Sequence, residues 1–294
     1  MRTGAVVSRR VLSIAIVAAV LGMSAAAGAA QEASPSAKVF GDDGVLTNCV
    51  DPSFPPMEYF ETQEAQEPIG FDIDLVNAIG ERLGVEVTHI PTEFTGLLPA
   101  LDAGRCDVVA SGIYLTAERL ATFDAQPYYD TSIVLLTRAD NTEIASPDDL
   151  SGKTMAVQAG TNYFNMLTDL NARFETEGKP VMEIQSYPKQ SDAIQQLVVG
   201  RADATITQDT EAAFRETAQP GQFKIAYTYP DPQTFGIYFQ QGSEEMAATL
   251  AETVEAMRDD GTLAHVAETW KLPVEGANYS TEVPSATPEA TPAA

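Results

Sequence analysis

A single arginine stands where a strand gives way to a helix in the segment SGIYLTAER, residues 111–119. The planar guanidinium of Arg119 can pair with a carboxylate through two parallel hydrogen bonds, so arginine is well suited to hold a small anion. An arginine at a helix start can equally form a solvated ion pair on the protein surface. Its surroundings in the chain decide between these two interpretations.

Two later segments also place polar residues at the end of an apolar strand. The strand ATITQ leads directly to Asp209, and the segment QAGTN, residues 158–162, ends a strand and opens a helix. Gly160 lets the backbone approach a bound molecule closely, and the free amides of a helix N-terminus favour an anion. Asp209 is also a suitable N-cap for the helix that follows it.

The elements that position these residues are short apolar strands alternating with amphipathic helices. The first strand is VLTNCV, residues 45–50, and the first helix, residues 70–85, has apolar residues at intervals of four. This alternation predicts a mostly parallel sheet covered on both faces, with ligands bound beyond the carboxyl ends of its strands. It occurs in two rounds, so we predict two similar α/β units. Residues 229–239 return the chain to the first unit, and two helices broken at Gly261 complete it.

Composition and charge limit the classes of partner. The chain has 294 residues, 44% of them hydrophobic, which is enough for a large core. Its formal net charge is −25, and removal of residues 1–30 takes away three of 17 basic residues and none of 42 acidic ones, which gives −28. Nucleic acid and anionic membrane surfaces are poor partners for such a protein.

Residues 1–30 are predicted to be a secretory signal peptide. Three arginines precede an apolar run of 13 residues, 11–23, and a small-residue stretch follows it. A membrane-anchoring helix is the weaker interpretation, because a span needs roughly 20 apolar residues. We expect cleavage near Ala30 or Gln31 and export to the periplasm or the extracellular side of the cytoplasmic membrane. The pair Arg9-Arg10 hints at the twin-arginine route.

The chain has two cysteines and two histidines. Outside the cytoplasm Cys49 and Cys106 form either a disulfide or two buried free thiols. His89 and His265 lie far apart in the sequence and lack the spacing of metal ligands. We therefore expect no metal and no cofactor.

Together these residues resemble a known family, the bacterial extracellular solute-binding proteins of the polar amino-acid class, which serve ABC importers. The most specific stretch is GFDIDL, residues 70–75, continued by Ile79, Gly80 and Leu83. FPPMEY precedes it and LLPALDAGRCDVVASG follows, with the Thr116-x-x-Arg119 pattern after that. The resemblance extends from about Val45 to Leu272.

The resemblance implies the two-lobed periplasmic-binding-protein fold of type II. Each lobe is then a mostly parallel sheet flanked by helices, two crossing strands form the hinge, and the ligand lies in the cleft. We expect lobe 1 to comprise residues 38–130 plus 234–272 and lobe 2 residues 131–233. Residues 273–294, rich in Pro, Ala and Thr, are predicted to be a disordered tail.

The resemblance also implies the ligand-binding residues. Arg119 binds the carboxylate of an amino acid, and Asp209 accepts its α-ammonium. Thr161 and Asn162 add donors to the carboxylate. The remaining implied contacts come from the end of the strand before Arg119 and comprise Ser111 and Gly112.

One position departs from the family pattern, since Tyr114 stands where Thr or Ser is usual. Phe54 and Phe94 match positions that carry apolar walls around the ligand side chain, although ordinary core packing explains them equally well. Further polar contacts are expected from Gln158 and from three other side chains, Asp51, Glu58 and Gln208. An acidic group at the side-chain end would suit a cationic amino acid.

The expected function is reversible capture of an amino acid or a close derivative, with closure of the lobes and delivery to the transmembrane subunits of an ABC permease. We expect a monomer with no catalytic residues. The alternative is a periplasmic dehydratase on the same fold, acting on a cyclic amino-acid precursor such as arogenate, because acidic residues near a cleft can act as general acids.

Overall fold

Strands and helices alternate along most of the chain, as their sequence pattern predicts. The computed structural model describes residues 39–40 and 44–281. The strands of this part are β1 (Val45–Val50), β2 (Ser53–Phe54), β3 (Glu58–Tyr59), β4 (Glu86–Pro91), β5 (Val108–Val109), β6 (Phe123–Arg138), β7 (Thr154–Gln158), β8 (Glu183–Tyr187), β9 (Ala204–Gln208) and β10 (Phe223–Gln240). The α-helices are α1 (Phe71–Leu83), α2 (Leu97–Asp102), α3 (Ala117–Leu120), α4 (Asn162–Thr176), α5 (Gln190–Val198), α6 (Asp209–Ala218), α7 (Glu244–Asp259) and α8 (Thr262–Thr269).

One sheet runs through both halves of the molecule, with the strand order β4-β1-β5-β10-β6-β9-β7-β8. On one side β1 pairs in parallel with β4 and β5, and on the other β7 pairs in parallel with β8 and β9. Between the two groups lie β6 and β10, which are antiparallel to each other and to their outer neighbours. The predicted α/β fold with two crossing strands is confirmed.

The crossing strands are by far the longest of the sheet. β6 has 16 residues and β10 has 18, and they pair from Phe223 opposite Arg138 to Gln240 opposite Phe123. We use lobe 1 for the part built from β1–β5, α1–α3, α7 and α8, and lobe 2 for the part built from β7–β9 and α4–α6. The residue at which each crossing strand passes from one lobe to the other stays a prediction.

The helix α1 illustrates how the pattern dictates local structure. Its residues Phe71, Leu75 and Ile79 recur on one face and are buried. Asp74 in the first turn meets the positive end of the helix dipole. The helix ends at Gly84, whose φ of 69° is the left-handed conformation that glycine adopts without steric cost.

Cys49 and Cys106 form a disulfide, which decides between the two alternatives left by the sequence. The bond joins β1 to the residues just before β5, and both cysteines are buried. It therefore fixes two neighbouring strands of lobe 1 directly beneath the ends where Asp51 and Ser111 lie.

The predicted tail begins too early. A 3₁₀ helix at Val274–Asn278 follows Pro273, and Tyr279 beyond it is only 4% exposed. The Tyr129 hydroxyl donates to the Pro273 carbonyl at 2.7 Å, so apolar and polar contacts together hold this segment against β6. Residues 282–294 of the predicted tail and the predicted signal peptide, residues 1–30, lie outside the described residues.

The described residues contain neither a membrane-spanning helix nor a cluster of metal-binding side chains. Within 39–40 and 44–281, no helix is long and apolar enough to cross a membrane. Within the same ranges, no group of three or more His, Cys, Asp or Glu side chains is arranged to hold a metal ion.

Candidate functional site

A cavity lies between the two lobes, where the carboxyl ends of parallel strands from both lobes face each other. Its walls lie close together, and the cavity volume is about 20 Å³. Lobe 1 contributes Asp51, Phe54, Glu58, Phe94, Ser111, Gly112, Tyr114 and Arg119. Lobe 2 contributes Gln158, Thr161, Asn162, Tyr163, Gln190 and Gln208.

Ser111 connects two acidic side chains of the lobe 1 wall. Its hydroxyl donates to Glu58 Oε1 at 3.0 Å and accepts from the Asp51 backbone amide at 2.9 Å. All three residues are at most 3% exposed. The end of β1 and the turn after β5 are therefore held together by side chains that also face the cavity.

Gly112 has a conformation that few other residues could adopt here. Its φ is 51°, and a Cβ atom at this position would lie 2.8 Å from the ring of Phe54. Its backbone amide donates to Asp72 Oδ2 at 2.6 Å. Glycine is required because the backbone passes directly against the aromatic wall of the cavity.

Glu58 and Asp72 form a buried pair of carboxyl groups. Burial and the neighbouring Asp72 carboxyl raise the pKa of Glu58 well above its usual range, and burial raises the pKa of Asp72 to about 6. Two neighbouring carboxylates repel each other, so the pair favours uptake of a proton. Glu58 is the member of this pair that lines the cavity.

Arg119 is positioned by the short helix α3. Thr116 caps this helix and accepts from the Arg119 backbone amide at 3.3 Å. The guanidinium donates to the Tyr114 carbonyl at 2.9 Å and to the Gly160 carbonyl of lobe 2 at 3.5 Å, and its Cζ lies 5.8 Å from the centroid of the Phe94 ring.

These contacts leave the charge of Arg119 without a carboxylate. No salt bridge within the described ranges includes this arginine. Burial lowers the pKa of Arg119 from its ordinary value, but a guanidinium stays protonated in proteins. A partly desolvated cation with donors remaining is arranged to receive an anion.

Tyr114 points into the cavity rather than away from it. Its ring stacks on Phe235 with centroids 5.1 Å apart, and its hydroxyl meets the Tyr163 hydroxyl of lobe 2 at 3.2 Å. Burial raises the pKa of Tyr114, so the phenol stays protonated and acts as a neutral hydrogen-bonding group. The large Tyr114 side chain therefore forms part of the cavity wall.

The lobe 2 wall opposite Arg119 is the start of α4. Gly160 has a φ of 76°, and a Cβ atom there would lie 2.9 Å from the Thr95 methyl group of lobe 1. The Thr161 hydroxyl donates to the Gln158 carbonyl at 2.8 Å, and Asn162 is the first residue of the helix. The free amides of this 15-residue helix therefore face the same space as the guanidinium.

A hydrogen bond between the lobes closes the other end of the cavity. Gln158 Nε2 donates to Asp51 Oδ2 at 2.5 Å, and the Ser53 hydroxyl donates to the same oxygen at 3.0 Å. Burial nevertheless raises the pKa of Asp51 to about 6, because the loss of hydration outweighs these two bonds.

Asp209 is not among the residues that line the cavity. Its Oδ1 accepts from the Thr131 hydroxyl of the crossing strand β6 at 2.6 Å. The residue before it, Gln208, ends β9 and faces the cavity instead. Asp209 begins α6 directly after this strand end, and its expected role in binding an α-ammonium stays a prediction.

The other nine predicted site residues all line the cavity. Asp51, Glu58 and Gln208, which were expected only as further polar contacts, line it as well. Sequence reasoning missed two residues. Tyr163 directly follows the predicted Asn162, so its position in the sequence could have suggested it. Gln190 begins a helix, and no sequence motif distinguishes it as a binding residue.

The fold agrees with comparisons to known proteins. The model of the bacterial extracellular solute-binding proteins, family 3, matches residues 46–273. The chain belongs to this family. Its two-lobed architecture is the type II periplasmic-binding-protein fold, as the sequence predicted.

Individual relatives and solved structures share this architecture. The L-cystine-binding protein of Bacillus subtilis (strain 168) is 28% identical over 77% of this chain and 81% of its own length. An ancestral arginine-binding protein solved with arginine is 30% identical, with a TM-score of 0.70 over 77% of this chain and 97% of that one. An ancestral amino-acid-binding protein, described as a precursor of cyclohexadienyl dehydratase, is 28% identical, with a TM-score of 0.67 over 77% of this chain and 94% of that one.

Proposed function

We propose that this protein captures an amino acid or a close derivative outside the cytoplasmic membrane and delivers it to the transmembrane subunits of an ABC importer. The observation that carries the proposal is Arg119, a partly desolvated guanidinium at the cavity with no carboxylate partner within residues 39–40 and 44–281. It faces the N-terminus of α4, so donors from both lobes converge on one small anion.

The carboxylate of the ligand binds at this end of the cavity. The guanidinium of Arg119 can donate two parallel hydrogen bonds to the carboxylate, and Thr161 and Asn162 add donors from the start of α4. Each charge-assisted hydrogen bond contributes about 1.5–3 kcal/mol, so a carboxylate here compensates for the desolvation of the guanidinium. Gly160 allows the backbone of lobe 2 to reach the ligand.

The α-amino group is proposed to face Gln208 and the hydroxyls of Tyr114 and Ser111. Gln208 is 5% exposed and supplies an uncharged acceptor where the sequence had suggested Asp209. An uncharged acceptor selects less strongly for an ammonium than a carboxylate does. Derivatives with a modified amine therefore belong to the proposed ligand class.

The lobes are proposed to close on the ligand. Contacts between the lobes already surround the cavity, from Gln158 to Asp51, from Arg119 to the Gly160 carbonyl and between the two tyrosine hydroxyls. A ligand that binds both walls favours the closed arrangement by the free energy of its contacts with the second wall. The relatives that bind L-cystine and arginine support an amino acid as the ligand.

A thermal-shift screen of the purified protein against the twenty common amino acids, followed by calorimetry, tests the proposal. A ligand that binds only the native state raises the melting temperature, by an amount that grows with the logarithm of its concentration divided by its Kd. We expect at least one amino acid to raise it, with the same ligand giving a one-to-one calorimetric titration. No shift with any amino acid or amine-modified derivative would contradict the proposal.

The second candidate is a dehydratase on the same fold. The observation that favours it is Glu58, a carboxyl group with a raised pKa that lines the cavity and could protonate a leaving hydroxyl. The likeness to a dehydratase precursor points the same way. Incubation of the purified protein with prephenate or arogenate decides this question, because turnover would replace the binding function.

A further inference from the structure

Gln190 lies at the end of the cavity near Asp51, away from the proposed carboxylate subsite. It is the first residue of α5 and only 2% exposed. Its backbone amide donates to the Ser53 hydroxyl of lobe 1 at 3.3 Å, and Ser53 in turn donates to Asp51. The backbone of Gln190 is therefore fixed against lobe 1, and the residue lines the cavity.

The orientation of the Gln190 amide is determined by Glu211. Gln190 Nε2 donates to Glu211 Oε2 at 2.8 Å. Glu211 is fully buried, and its other oxygen accepts from two nitrogens of Arg215 at 3.2 and 2.8 Å. A carboxylate paired with arginine only accepts hydrogen bonds, so the nitrogen of the amide must face Glu211 and its oxygen must face the other way.

The oxygen that results is an acceptor without a partner. Gln190 Oε1 is buried and has no hydrogen bond within the described part of the chain. A buried acceptor left without a donor is costly, and its orientation cannot reverse without breaking the bond to Glu211. The Asp51 carboxylate, which lines the same cavity, is also an acceptor.

We infer that Gln190 is a specificity-determining residue that accepts a hydrogen bond from an N–H group on the side chain of the ligand. Glu211 and Arg215 are its positioning residues. The inference rests on the proposed function and narrows its ligand class to amino acids whose side chains end in an amide, an ammonium or a guanidinium. A side chain ending in a carboxylate would meet Gln190 Oε1 and Asp51, and both would repel it.

The unmodified protein gives the first test. Dissociation constants are measured by calorimetry for L-arginine, L-lysine and L-glutamine, which carry side-chain N–H groups, and for L-glutamate and L-norleucine, which do not. We expect the tightest binder to come from the first group. Tighter binding of L-glutamate or L-norleucine than of all three would overturn the inference, even though an amino acid had bound.

The second test compares Gln190→Met with the control Gln195→Met, the same change at an exposed position of α5. Gln190→Met keeps the length of the side chain and removes the acceptor. We expect the preference for the best N–H ligand over L-norleucine to fall about tenfold, the effect of one lost hydrogen bond with its unpaired donor, and to stay unchanged in the control. The ratio of the two dissociation constants is compared because a loss of folded protein alters the apparent constants for both ligands together.

The third test addresses positioning and uses Glu211→Gln. A glutamine at this position can donate as well as accept, so the Gln190 amide becomes free to reverse and to present its nitrogen to the cavity. We expect the discrimination between L-glutamine and L-glutamate to shrink, which a purely structural role for Glu211 would not produce. Full discrimination in a folded Glu211→Gln protein would overturn the assigned role of Glu211.

The results separate the two proposals. If no amino acid binds the unmodified protein, the proposed function fails and the inference fails with it. If amino acids bind and Gln190→Met leaves the preference between N–H ligands and L-norleucine unchanged, the inference alone fails. If Gln190→Met does not fold, the affinities of the five amino acids for the unmodified protein and the measurement on Glu211→Gln still test the inference.

Discussion

The two lobes face the same cavity with different chemistry. Every charged or ionisable carboxyl and guanidinium group of the described cavity wall belongs to lobe 1, namely Asp51, Glu58 and Arg119. Lobe 2 contributes only neutral groups there, namely Gln158, Thr161, Asn162, Tyr163, Gln190 and Gln208. Its one buried acid near the cavity, Glu211, is neutralised by Arg215 and acts through Gln190.

This difference suggests a division of labour between the lobes. Charges attract a ligand from a distance and tolerate an imperfect first encounter, whereas neutral hydrogen bonds act only at contact. Lobe 1 is therefore suited to first capture, and lobe 2 to recognition after closure. Lobe 1 is also the lobe with the disulfide of the described residues, which holds the strands beneath its charged groups in register.

The largest expected effect concerns that disulfide. Replacing both Cys49 and Cys106 by alanine should lower the free energy of unfolding by about 4 kcal/mol, because the bond closes a long loop in the unfolded chain. The cysteines are 57 residues apart in the sequence. Chemical denaturation of the double variant and of the oxidised and reduced natural protein measures this loss.

The same experiment tests the comparison of the lobes. Hydrogen exchange should locate the loss in β1 and β5, with the amides of β7 and β9 much less affected. Equal loss of protection in both lobes would contradict a lobe-specific role of the disulfide.

The second prediction removes the cation of lobe 1. Arg119→Ala should weaken binding of the amino acid found in the screen by about 3 kcal/mol, roughly 150-fold in Kd, since the ligand carboxylate loses its charged partner. Arg105→Ala, an exposed arginine of the same lobe, is the matched control. Calorimetry that gives equal affinities for the two variants would remove Arg119 from the site.

Sequence reasoning was most successful where a periodic pattern is tied to burial. The helix α1 has its apolar stripe and its terminal Gly84 in the primary structure. The alternation of strands and helices predicted the α/β fold, and the family resemblance implied its two crossing strands. Parallel strands end at one edge of a sheet, so the approximate place of the cavity followed from the same alternation.

It was less successful where one residue decides the direction of a side chain. Gln208 and Asp209 are neighbours, and only the geometry of β9 shows that the first faces the cavity while the second binds Thr131. The role of Gln190 depends on Glu211, 21 positions later, and on an ion pair beyond it. Such a chain of contacts has no signature in the sequence, because it is formed only when the fold brings the first turns of α5 and α6 together.

The third prediction concerns the pH dependence of binding. Burial raises the pKa of Asp51 from 3.8 to about 6, and among the charged groups around it Lys189 favours its ionised form while Glu93 opposes it. A ligand with a side-chain N–H group favours ionised Asp51 and lowers its pKa in the complex. Binding below pH 6 must then release a proton, so affinity falls as the pH decreases, by about tenfold for each unit below 6.

Calorimetry at pH 5 and pH 7 measures this dependence. Asp51→Asn should bind the same ligand with nearly equal affinity at the two pH values, because it has no carboxyl to protonate. An affinity that rises on acidification in the natural protein, or that falls equally in Asp51→Asn, would show that another group controls the pH dependence.

The smallest expected effect sharpens the comparison most, because it tests the order in which the lobes act. Asn162→Ala in lobe 2 removes a neutral donor and should weaken binding by about 1 kcal/mol, roughly fivefold in Kd. Asn165→Ala, an exposed position of the same helix, is the control.

If the ligand meets lobe 1 first, the whole effect of Asn162→Ala must lie in faster dissociation, since lobe 2 makes its contacts only after closure. Stopped-flow kinetics should then show an unchanged association rate for Asn162→Ala and a reduced one for Arg119→Ala, with only the latter sensitive to salt. A slower association of Asn162→Ala would mean that the neutral wall takes part in the first encounter, and the division of labour between the lobes would have to be abandoned.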